Sequence, residues 1–535
     1  MVAEPGFWLD FDRDGFDTSL GVSGDRRLAR GLPEGGSSGA SDNITSDLIR
    51  VQIDRVADAN GGTPVGSMVV TTKNTSGKYN PDNTASPVYG RIDPGAPVWF
   101  GCNADLTLSG TGQTVYGRFA GYSRTVAPIP VAGATDAPTA EWVFDDAMAR
   151  YRDAKARVAF STSRTVASYR TAVLAAIGET RTSLATESDT LPATGSIGVG
   201  IRILSGARAR RFLTDVGTDS VALARDQVRK KPIVTALSVL EDLNKVVGSR
   251  HFIAPADTKE DWYSYTTRNR QYKLGSAADA NLTAMVSATS GYVHSSDGIV
   301  NAMSVEARPF RVAPQKVIVW EYPTVPFAMD ASTARTMVAD FGDMVYDATL
   351  TVTSTNSLVT AVLTAYGDGA AIAITATGPD TVTALYIEGR PVTRLDTVVV
   401  EKSDSASQQA HGEMQGPNVN SDLIASEGLA EGIASYHIWA SKTPRKSPSV
   451  TIFNNPATLL PLDLHDVVTL TIPQLDVSSK RFEIVGIHET WDRAASASVR
   501  LVAFVLDLRQ TPNSSALSLF TIGSSTLGGS DGLAP

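Results

Sequence analysis

The sequence predicts a mainly β protein with α+β inserts, made of two small tube-like β-barrel domains, an α+β middle domain and a β-rich insertion. Apolar and polar residues alternate over many short runs, as they do in half-buried strands. Clusters of Gly, Asn, Asp and Pro separate these runs and predict turns. Apolar residues recur at helical spacing near 171–179, 231–248 and 421–441, which predicts a few helices among the strands.

Residues 1–160 are predicted to form the first barrel, with a Gly/Ser-rich loop insertion at 31–43. Residues 67–72 alternate as a strand, and a dense cluster of turn formers follows them. This cluster contains Asn74, Ser76, Gly77, Asn80, Pro81, Asp82 and Asn83. The chain is therefore expected to leave this strand through a long turn that bonds to itself.

Three more turn-forming residues, Pro94, Gly95 and Pro97, precede the next apolar strand. Residues 115–122 supply an antiparallel return strand. In that strand, Gly117 and Gly121 indicate bulges or close approaches of the backbone. Together these features predict a small barrel or a strongly bent sheet.

Residues 161–296 are predicted to form the α+β domain. In the helix near 231–248 the apolar residues share one face, Pro232 lies near the first turn, and Gly248 is placed to end it. Residues 249–269 then have the pattern of strand, turn and strand. A helix packed on a hairpin is expected.

The rest of the chain predicts further strands with an insertion. Segments 297–330 and 393–510 are assigned to one strand-rich domain, with a helix at 421–441, and the family resemblance described below implies that this domain is a second barrel. Between them, residues 331–392 alternate Thr and Val at a period of two, which predicts a β-rich insertion. The Ser/Gly-rich residues 511–535 are predicted to be a flexible tail that orders on a partner. The two strand-rich parts suggest an internal duplication.

Composition narrows the classes of function. The 535 residues are 42% hydrophobic and 19% charged, which is ordinary for a chain that folds into several domains. A net charge of −9 argues against direct, specific nucleic-acid binding and against binding to anionic membranes. The single cysteine, Cys102, excludes an internal disulfide and Cys-based zinc sites.

Targeting signals are also missing from the sequence. The N-terminal residues show no basic segment followed by an apolar core, and no apolar run is long enough to span a bilayer. A soluble chain without a membrane span, not exported by the ordinary route, is expected.

The sharpest metal candidate is the acidic run at 10–15. Asp10, Asp12 and Asp14, followed by Gly15, match the start of a calcium-binding loop, whose oxygens alternate along the chain. Such a loop needs a bidentate acid at its twelfth position, which here is Gly21. An acidic strand-to-turn segment is therefore the favoured interpretation, and calcium is the weaker alternative.

Other candidate chemistry is sparse. The six histidines have no partners at ligand spacing. The carboxylate pairs at 145–146 and 260–261 fit a helix start and a turn, and a glycosidase is disfavoured. Basic runs at 207–211 and 225–231 favour solvated loops. Nucleophile elbows, phosphate-binding loops and dinucleotide fingerprints are missing, so no catalytic residue and no cofactor is predicted.

The segment 66–160 resembles the first domain of the baseplate-hub or tail-tip hub proteins of tailed bacteriophages, often called minor tail proteins in phages of actinobacteria. The matching residues are Asn74, Gly77, Tyr79, Pro81, Asn83, Ser86, Pro87, Tyr89, Gly90, Ile92, Pro94, Gly95, Pro97, Val98, Phe119, Gly121, Asp146, Ala149 and Arg150. A second match, resembling the start of the family's second barrel, comprises Asp297, Ile299, Val300, Asn301, Met303 and Val305. The strand opened by Asp466 is similar to a later part of that barrel.

The resemblance implies a structural virion protein and not an enzyme. Three copies would form a ring at the distal end of a tail tube, where two barrels per copy match a sixfold tube. Implied partners are the distal tail or tail tube protein, the tape-measure protein, and downstream tip, fibre or receptor-binding proteins. The implied location is the tail tip of the virion, after assembly in the host cytoplasm, with roles in host attachment and genome ejection.

Two alternatives remain open. One is a carbohydrate-binding or wall-degrading tail-associated protein. The other is the hub of a contractile injection or gene-transfer particle, which the sequence barely separates from a phage tail.

Overall fold

The computed structural model describes the following residues: 4–9, 44–57, 65–86, 88–89, 94–103, 115–129, 138–154, 166–184, 235–247, 249–256, 262–268, 277–282, 291–296, 298–365, 369–421, 423–452, 456–473, 477–493 and 500–512. The calcium candidate at 10–15, the loop insertion at 31–43 and all of the tail beyond residue 512 lie outside them.

Six antiparallel strands near the N-terminus form what we call the first strand set. They are β1 (Glu4–Leu9), β2 (Leu48–Val56), β3 (Ser67–Lys73), β4 (Pro97–Asn103), β5 (Val115–Ile129) and β6 (Thr139–Asp146). Their order in the sheet is β1-β4-β5-β6-β3-β2. Buried and half-exposed residues alternate along the strands, as they do in β3, where Met68, Val70 and Thr72 are buried and their neighbours are half-exposed. Trp142 and Phe144 stack in the core beneath, with ring centroids 6.1 Å apart.

An α+β unit follows. Its elements are α1 (Met148–Asp153), α2 (Val166–Ala176), β7 (Thr182–Ser183), α3 (Ala236–Val247), β8 (Arg250–Pro255) and β9 (Tyr263–Arg268). β8 and β9 pair antiparallel, and β7 joins β9 in parallel. The apolar face of α3 buries Leu240 and Leu243 in the same core as Tyr265 of β9. Helices α1 and α2 both pack against α3.

A β-sandwich is inserted after the strands β10 (Ala280–Asn281), β11 (Gly291–Ser295) and β12 (Ala302–Ala307). Its strands are β13 (Phe310–Val312), β14 (Val317–Glu321), β15 (Phe327–Met329), β16 (Ala334–Asp340), β17 (Val345–Ser354), β18 (Val359–Ala365), β19 (Gly369–Ala376) and β20 (Asp380–Arg394). One sheet gathers β13, β14, β15 and β17 on the long strand β20, and the other has the order β16-β19-β18. The two sheets enclose a separate core that includes Ile372, Ile374 and Leu385.

After the sandwich, the chain forms a small helix-covered sheet. The elements are β21 (Val398–Ser403), α4 (Ser405–His411), β22 (Val419–Asn420) and α5 (Glu427–Ser441). β12 lies between β21 and β22, and α5 packs on β12 and β21. α5 begins after Ser426, whose side chain accepts a hydrogen bond from the backbone N–H of Leu429.

The last elements are β23 (Arg445–Ile452), α6 (Pro456–Leu459), β24 (Val467–Ile472), β25 (Val477–Asp492) and β26 (Arg500–Gln510). With β10 and β11, these strands form the C-terminal strand set. β2 pairs antiparallel with β25, with Val51 opposite Trp491. The two strand sets therefore share one sheet of order β1-β4-β5-β6-β3-β2-β25-β26-β23-β11, and β24 pairs with β25 and β10.

The mainly β architecture with α+β inserts is confirmed. The strands assigned to the two predicted barrels are joined in one sheet through the β2–β25 pairing. Backbone N–H and C=O groups on an open strand edge need partners, and each strand set supplies one edge to the other.

Three predicted boundaries also differ from the structure. The insertion begins near Phe310 and not at 331, because β13 and β14 pair with β20. Segment 297–330 does not join the sheet of the C-terminal strand set, since β12 pairs with β21 and β22 instead. The helix predicted at 421–441 begins at Glu427, after its serine cap. The remaining domain boundaries stay predictions.

Gly121 allows β5 and β6 to approach closely. A Cβ atom at this position would collide with the carbonyl oxygen of Asp145 and lie 2.8 Å from the Cα atom of Asp146. Both are backbone atoms of a paired strand, so they cannot turn aside. We expect Gly121→Ala to lower the free energy of unfolding by about 3 kcal/mol, measured by urea denaturation.

Gly95→Ala is the comparison variant. Gly95 has a φ of +92°, and a Cβ atom added there would meet no other atom within 4 Å, so backbone strain alone should cost about 1–2 kcal/mol. An equal or smaller loss for Gly121→Ala would contradict the close-approach argument.

Candidate functional site

The turn after β3 is held by buried side chains. The Asn74 side-chain oxygen accepts a hydrogen bond from the Tyr79 backbone N–H at 2.7 Å. The Tyr79 hydroxyl donates to a carboxylate oxygen of Asp47 at 2.6 Å, and its ring meets Trp142 edge-on with centroids 5.3 Å apart. Asn74 and Tyr79 are both buried. These two residues fasten the turn to the core of the first strand set.

The outer part of the turn is bonded to itself. The Asn83 side-chain amide donates to the backbone oxygens of Ser76 and Gly77, at 3.1 and 2.9 Å. Gly77 adopts a φ of +67°, a left-handed conformation that favours glycine. Pro81 is exposed at the tip. These contacts hold the outer part of the turn in one conformation.

The turn-forming residues before β4 connect this strand to β5. Gly95, whose positive φ any side chain would strain, donates its backbone N–H to the Ser123 carbonyl at 2.6 Å. Pro94 before it is exposed, and Pro97 opens β4 opposite Tyr122. Pro87, the remaining proline of the motif, lies outside the described residues.

Asp146 closes the end of β6. Its two carboxylate oxygens accept hydrogen bonds from the backbone N–H groups of Gly66, at 2.6 Å, and Met148, at 3.0 Å. Burial raises the pKa of Asp146 to about 7, an effect that these hydrogen bonds and nearby Arg55 oppose. Gly121 lies opposite Asp146 in the β5–β6 pair. The structure therefore brings these two motif residues together.

Asn301 and Asp466 lie in other parts of the fold. The Asn301 side chain donates to the Gly412 carbonyl at 2.7 Å and accepts from the Met414 N–H at 2.7 Å, which ties β12 to the segment after α4. Asp466 accepts from the Asp463 N–H at 2.9 Å, and burial raises its pKa to about 6. Both residues fix loops.

Sequence reasoning missed a buried ion pair between β5 and β25. Arg118 of β5 donates from Nε at 2.8 Å and from a terminal nitrogen at 2.5 Å to one carboxylate oxygen of Glu489 on β25. The other oxygen of Glu489 accepts from the Trp491 indole N–H at 3.0 Å. Arg118 also donates to the carbonyls of Leu460 and Leu462. With side chains 2% and 0% exposed, this pair joins the two strand sets inside the protein.

Contacts beside the Arg118–Glu489 pair join the α+β unit to the two strand sets. Arg55 of β2 donates to the Ile253 carbonyl at 3.1 Å and to an Asp463 oxygen at 2.5 Å. The Trp99 indole N–H donates to the Ala256 carbonyl at 2.6 Å. A small cavity of about 190 Å³ lies between these segments, lined by Gly117 among others. We call this region, with the Arg118–Glu489 pair, the buried junction.

A signal for the junction is present in the sequence. Ile487, Glu489 and Trp491 occupy alternate positions of β25, and all three are buried. A carboxylate in an apolar row must have a buried partner, because an unpaired buried charge is very costly. The alternation of buried residues in β25 does not show which arginine is that partner.

A histidine lies on the exposed side of the same strand pairing. His488 Nδ1 lies 2.8 Å from an Asp54 oxygen on β2, and its Nε2 lies 2.9 Å from an Asp507 oxygen on β26. The hydrogen bond with Asp507, and then that with Asp54, raise the pKa of His488 to about 9. A protonated imidazole therefore bridges three neighbouring strands at neutral pH.

Within the residues that the structure describes, no group of three or more His, Cys, Asp or Glu side chains is placed to hold a metal ion. The candidates Asp10, Asp12 and Asp14 lie outside those residues. Across the same described ranges, none of the helices has the length and apolar character needed to cross a membrane.

Comparison with the known protein families found no match, and comparison with curated proteins found none. Among solved structures, the chain is similar to the 43 kDa tail protein of prophage MuSo2 from Shewanella oneidensis, with 11% identity over 86% of this chain and 93% of that chain and a TM-score of 0.43. A tail protein from Neisseria meningitidis MC58 matches with 10% identity over 86% and 92% of the two chains and a TM-score of 0.43. Both structural neighbours are described as tail proteins.

A third similar structure is a type VI secretion component of E. coli, described as similar to the T4 tail proteins gp27 and gp5. It matches with 8% identity over 88% of this chain and 74% of that chain, with a TM-score of 0.34. The resemblance to phages of actinobacteria stays a prediction.

The buried junction predicts an asymmetry between single and double substitutions. Arg118→Met leaves Glu489 buried without its cation and should lower the free energy of unfolding by about 3–5 kcal/mol. Replacing both residues, with Glu489→Leu added, should cost less than the single change, because no unpaired charge remains. Urea denaturation of both variants measures this difference.

The exposed pair Arg124–Asp145 provides the control. Its arginine is 59% exposed, so Arg124→Met should change stability by no more than about 0.5 kcal/mol. A loss for Arg118→Met as small as that for Arg124→Met would mean that the junction does not hold the two strand sets together.

The His488 bridge predicts a pH dependence with a definite sign. A folded-state pKa of about 9, above the ordinary 6.5, means that the folded protein holds the proton more tightly. The resulting stabilisation is complete below pH 6.5 and is lost as the pH rises through about 9. His488→Gln should remove this part of the pH dependence, measured as unfolding midpoints between pH 6 and pH 10, about the range of the shift. A His488 pKa at or below 6.5 in an NMR titration would refute the bridge.

Proposed function

We propose that this protein is a structural hub at the distal tip of a tail tube, where three copies form a ring. The observation that supports this proposal best is the single sheet shared by the two strand sets. Within the described residues, β11 pairs only with β23, so the sheet has an open edge at that end. At the other end, β1 pairs with β4, and the outward N–H and C=O groups of Phe7 are bonded to Thr45 and Ile44. An open edge offers a row of backbone N–H and C=O groups to another chain.

In the proposed hub, the shared sheet would allow copies of the chain to join into a symmetric ring. Copies that join edge to edge through heterologous contacts make a closed ring when the rotation closes. Two strand sets in each of three copies would present six similar units to a sixfold tube. The ring would then adapt the symmetry of the tube to the tip and close its channel.

The buried junction fits this role. A ring that carries load between tube and tip needs a fixed angle between the two strand sets of each copy. The Arg118–Glu489 pair and the Arg55–Asp463 pair fix that angle from inside the fold. Such a role needs no catalytic residue, so we propose a structural function and not an enzymatic one.

The proposed partners follow from the position in the tail. The distal tail or tail tube protein would bind on one side of the ring, the tape-measure protein within it, and tip, fibre or receptor-binding proteins on the other side. The proposed location is the tail tip of the virion, after assembly in the host cytoplasm.

The open edge at β11 provides the test. Val293 is 63% exposed on this end strand, and a lysine there would place a charge at the proposed contact between copies. Light scattering at micromolar concentration should show a trimer for the wild-type protein and a dissociation constant at least about tenfold higher for Val293→Lys.

Val362→Lys is the matched control. Val362 is 66% exposed, but it lies on β18 of the sandwich, so its substitution should leave the trimer intact. A wild-type protein that stays monomeric, or equal effects of the two variants, would overturn the ring. A monomer that cleaves peptidoglycan or binds glycans would favour a wall-degrading or carbohydrate-binding protein instead.

A further inference from the structure

A cleft of about 620 Å³ opens where α3, the end of α5 and the start of β23 meet. This volume lies in the range of clefts that hold small ligands. Among its described lining residues, none lines the smaller cavity at the buried junction. Val293, the position that tests the ring, is not among them either. The proposed ring therefore leaves this cleft without a role.

Part of the lining is apolar and incompletely covered. Val300 and Val419 line the cleft, and both pack against the core that α3 and α5 share. Both valines are only half-buried, as is Tyr436 of α5. Removing such apolar area from water is favourable. A segment with apolar side chains that entered the cleft would therefore be stabilised there.

The last described strand ends beside the cleft. Arg509 of β26 lines it, and the Gln510 side-chain oxygen accepts a hydrogen bond from the backbone N–H of Lys446 at 3.2 Å. Lys446 lies between two lining residues of β23. Residues 513–535, which we call the tail, follow in the chain and lie outside the described residues. The tail therefore begins close to the cleft.

The sequence of the tail suits an apolar surface. Residues 513–530 contain no charged side chain, although 19% of the whole chain is charged. Its large apolar residues are grouped at Leu517, Leu519, Phe520 and Ile522. The chain between Pro512 and Leu517 spans at most about 18 Å. An uncharged segment can bury these side chains without a counter-charge, so its binding requires no change in the ion pairs of the cleft.

We propose that the tail binds in this cleft of its own chain, with the apolar group at 517–522 on the half-buried lining. A short tether gives the tail an effective concentration of about 1 mM at the cleft, so a modest intrinsic affinity is sufficient. The bound tail removes apolar area of Val300 and Val419 from water. The contact is made within one copy, so it does not depend on the proposed ring.

Disulfide trapping in the full chain tests the proposal, because the single native cysteine, Cys102, is buried. Ser518→Cys places a thiol in the apolar group, and Asn418→Cys places one at an exposed lining position next to Val419. Two cysteines join only when their Cα atoms come within about 7 Å. Mild oxidation should link the two positions within one chain, detected by gel mobility and by mass spectrometry of the linked peptides.

Ser478→Cys, again combined with Ser518→Cys, is the matched control. Ser478 is exposed and is not a lining residue. It lies on β25 close to Arg481, whose carbonyl accepts a hydrogen bond from the Thr511 N–H. A tail without a preferred site would reach Ser478 at least as readily as the cleft. The Asn418 pair should instead link at least about tenfold faster than the Ser478 pair.

A further variant removes the apolar group from the tail. Leu517→Ser, Leu519→Ser and Phe520→Ser together should slow linkage to Asn418→Cys by at least about tenfold, because the apolar contacts are lost. Linkage to Ser478→Cys should not become slower. Equal rates for the two pairs, links that form only between chains, or a triple variant that links as fast as its parent would overturn the proposal. Links within one chain can form whether or not the protein is a trimer, so this result is separate from the test of the ring.

Discussion

The ion pair between Arg118 and Glu489 is the interaction on which the arrangement of this fold depends. Its residues lie on β5 and β25, and both side chains are almost fully buried. Moving two charges out of water costs several kcal/mol per ion. This cost is comparable with the whole free energy of unfolding of a typical protein, about 5–15 kcal/mol. The pair is tolerable only because Trp491 and the carbonyls of Leu460 and Leu462 satisfy its remaining groups.

This requirement makes the pair a device for specificity. Any other placement of β25 against β5 would leave a buried charge without a partner, so the pair selects one arrangement of the strand sets. The strand pairing β2–β25 then follows in the register that places Val51 opposite Trp491. Arg55 and Trp99 attach the α+β unit to the first strand set, because they donate hydrogen bonds to the carbonyls of Ile253 and Ala256.

A second buried carboxylate of β25 is compensated in a similar way. Glu483 lies 2.5 Å from Arg250 Nε and 3.1 Å from a terminal nitrogen of Arg509. Burial would raise the pKa of Glu483, but the two arginines hold it well below its ordinary value. Both buried carboxylates of this strand therefore have cationic partners.

The sequence by itself determined the local structure. Alternation predicted the strands, and the Asn74 to Asn83 cluster predicted a turn that bonds to itself, because both signals depend on residues close in the chain. The tertiary structure decided which strands became neighbours. The merging of the two strand sets, the pairing of β12 with β21, and the choice of Arg118 as partner of Glu489 all join residues far apart in sequence. Such pairings depend on shape and on the cost of unpaired buried groups, and no short pattern in the chain records them.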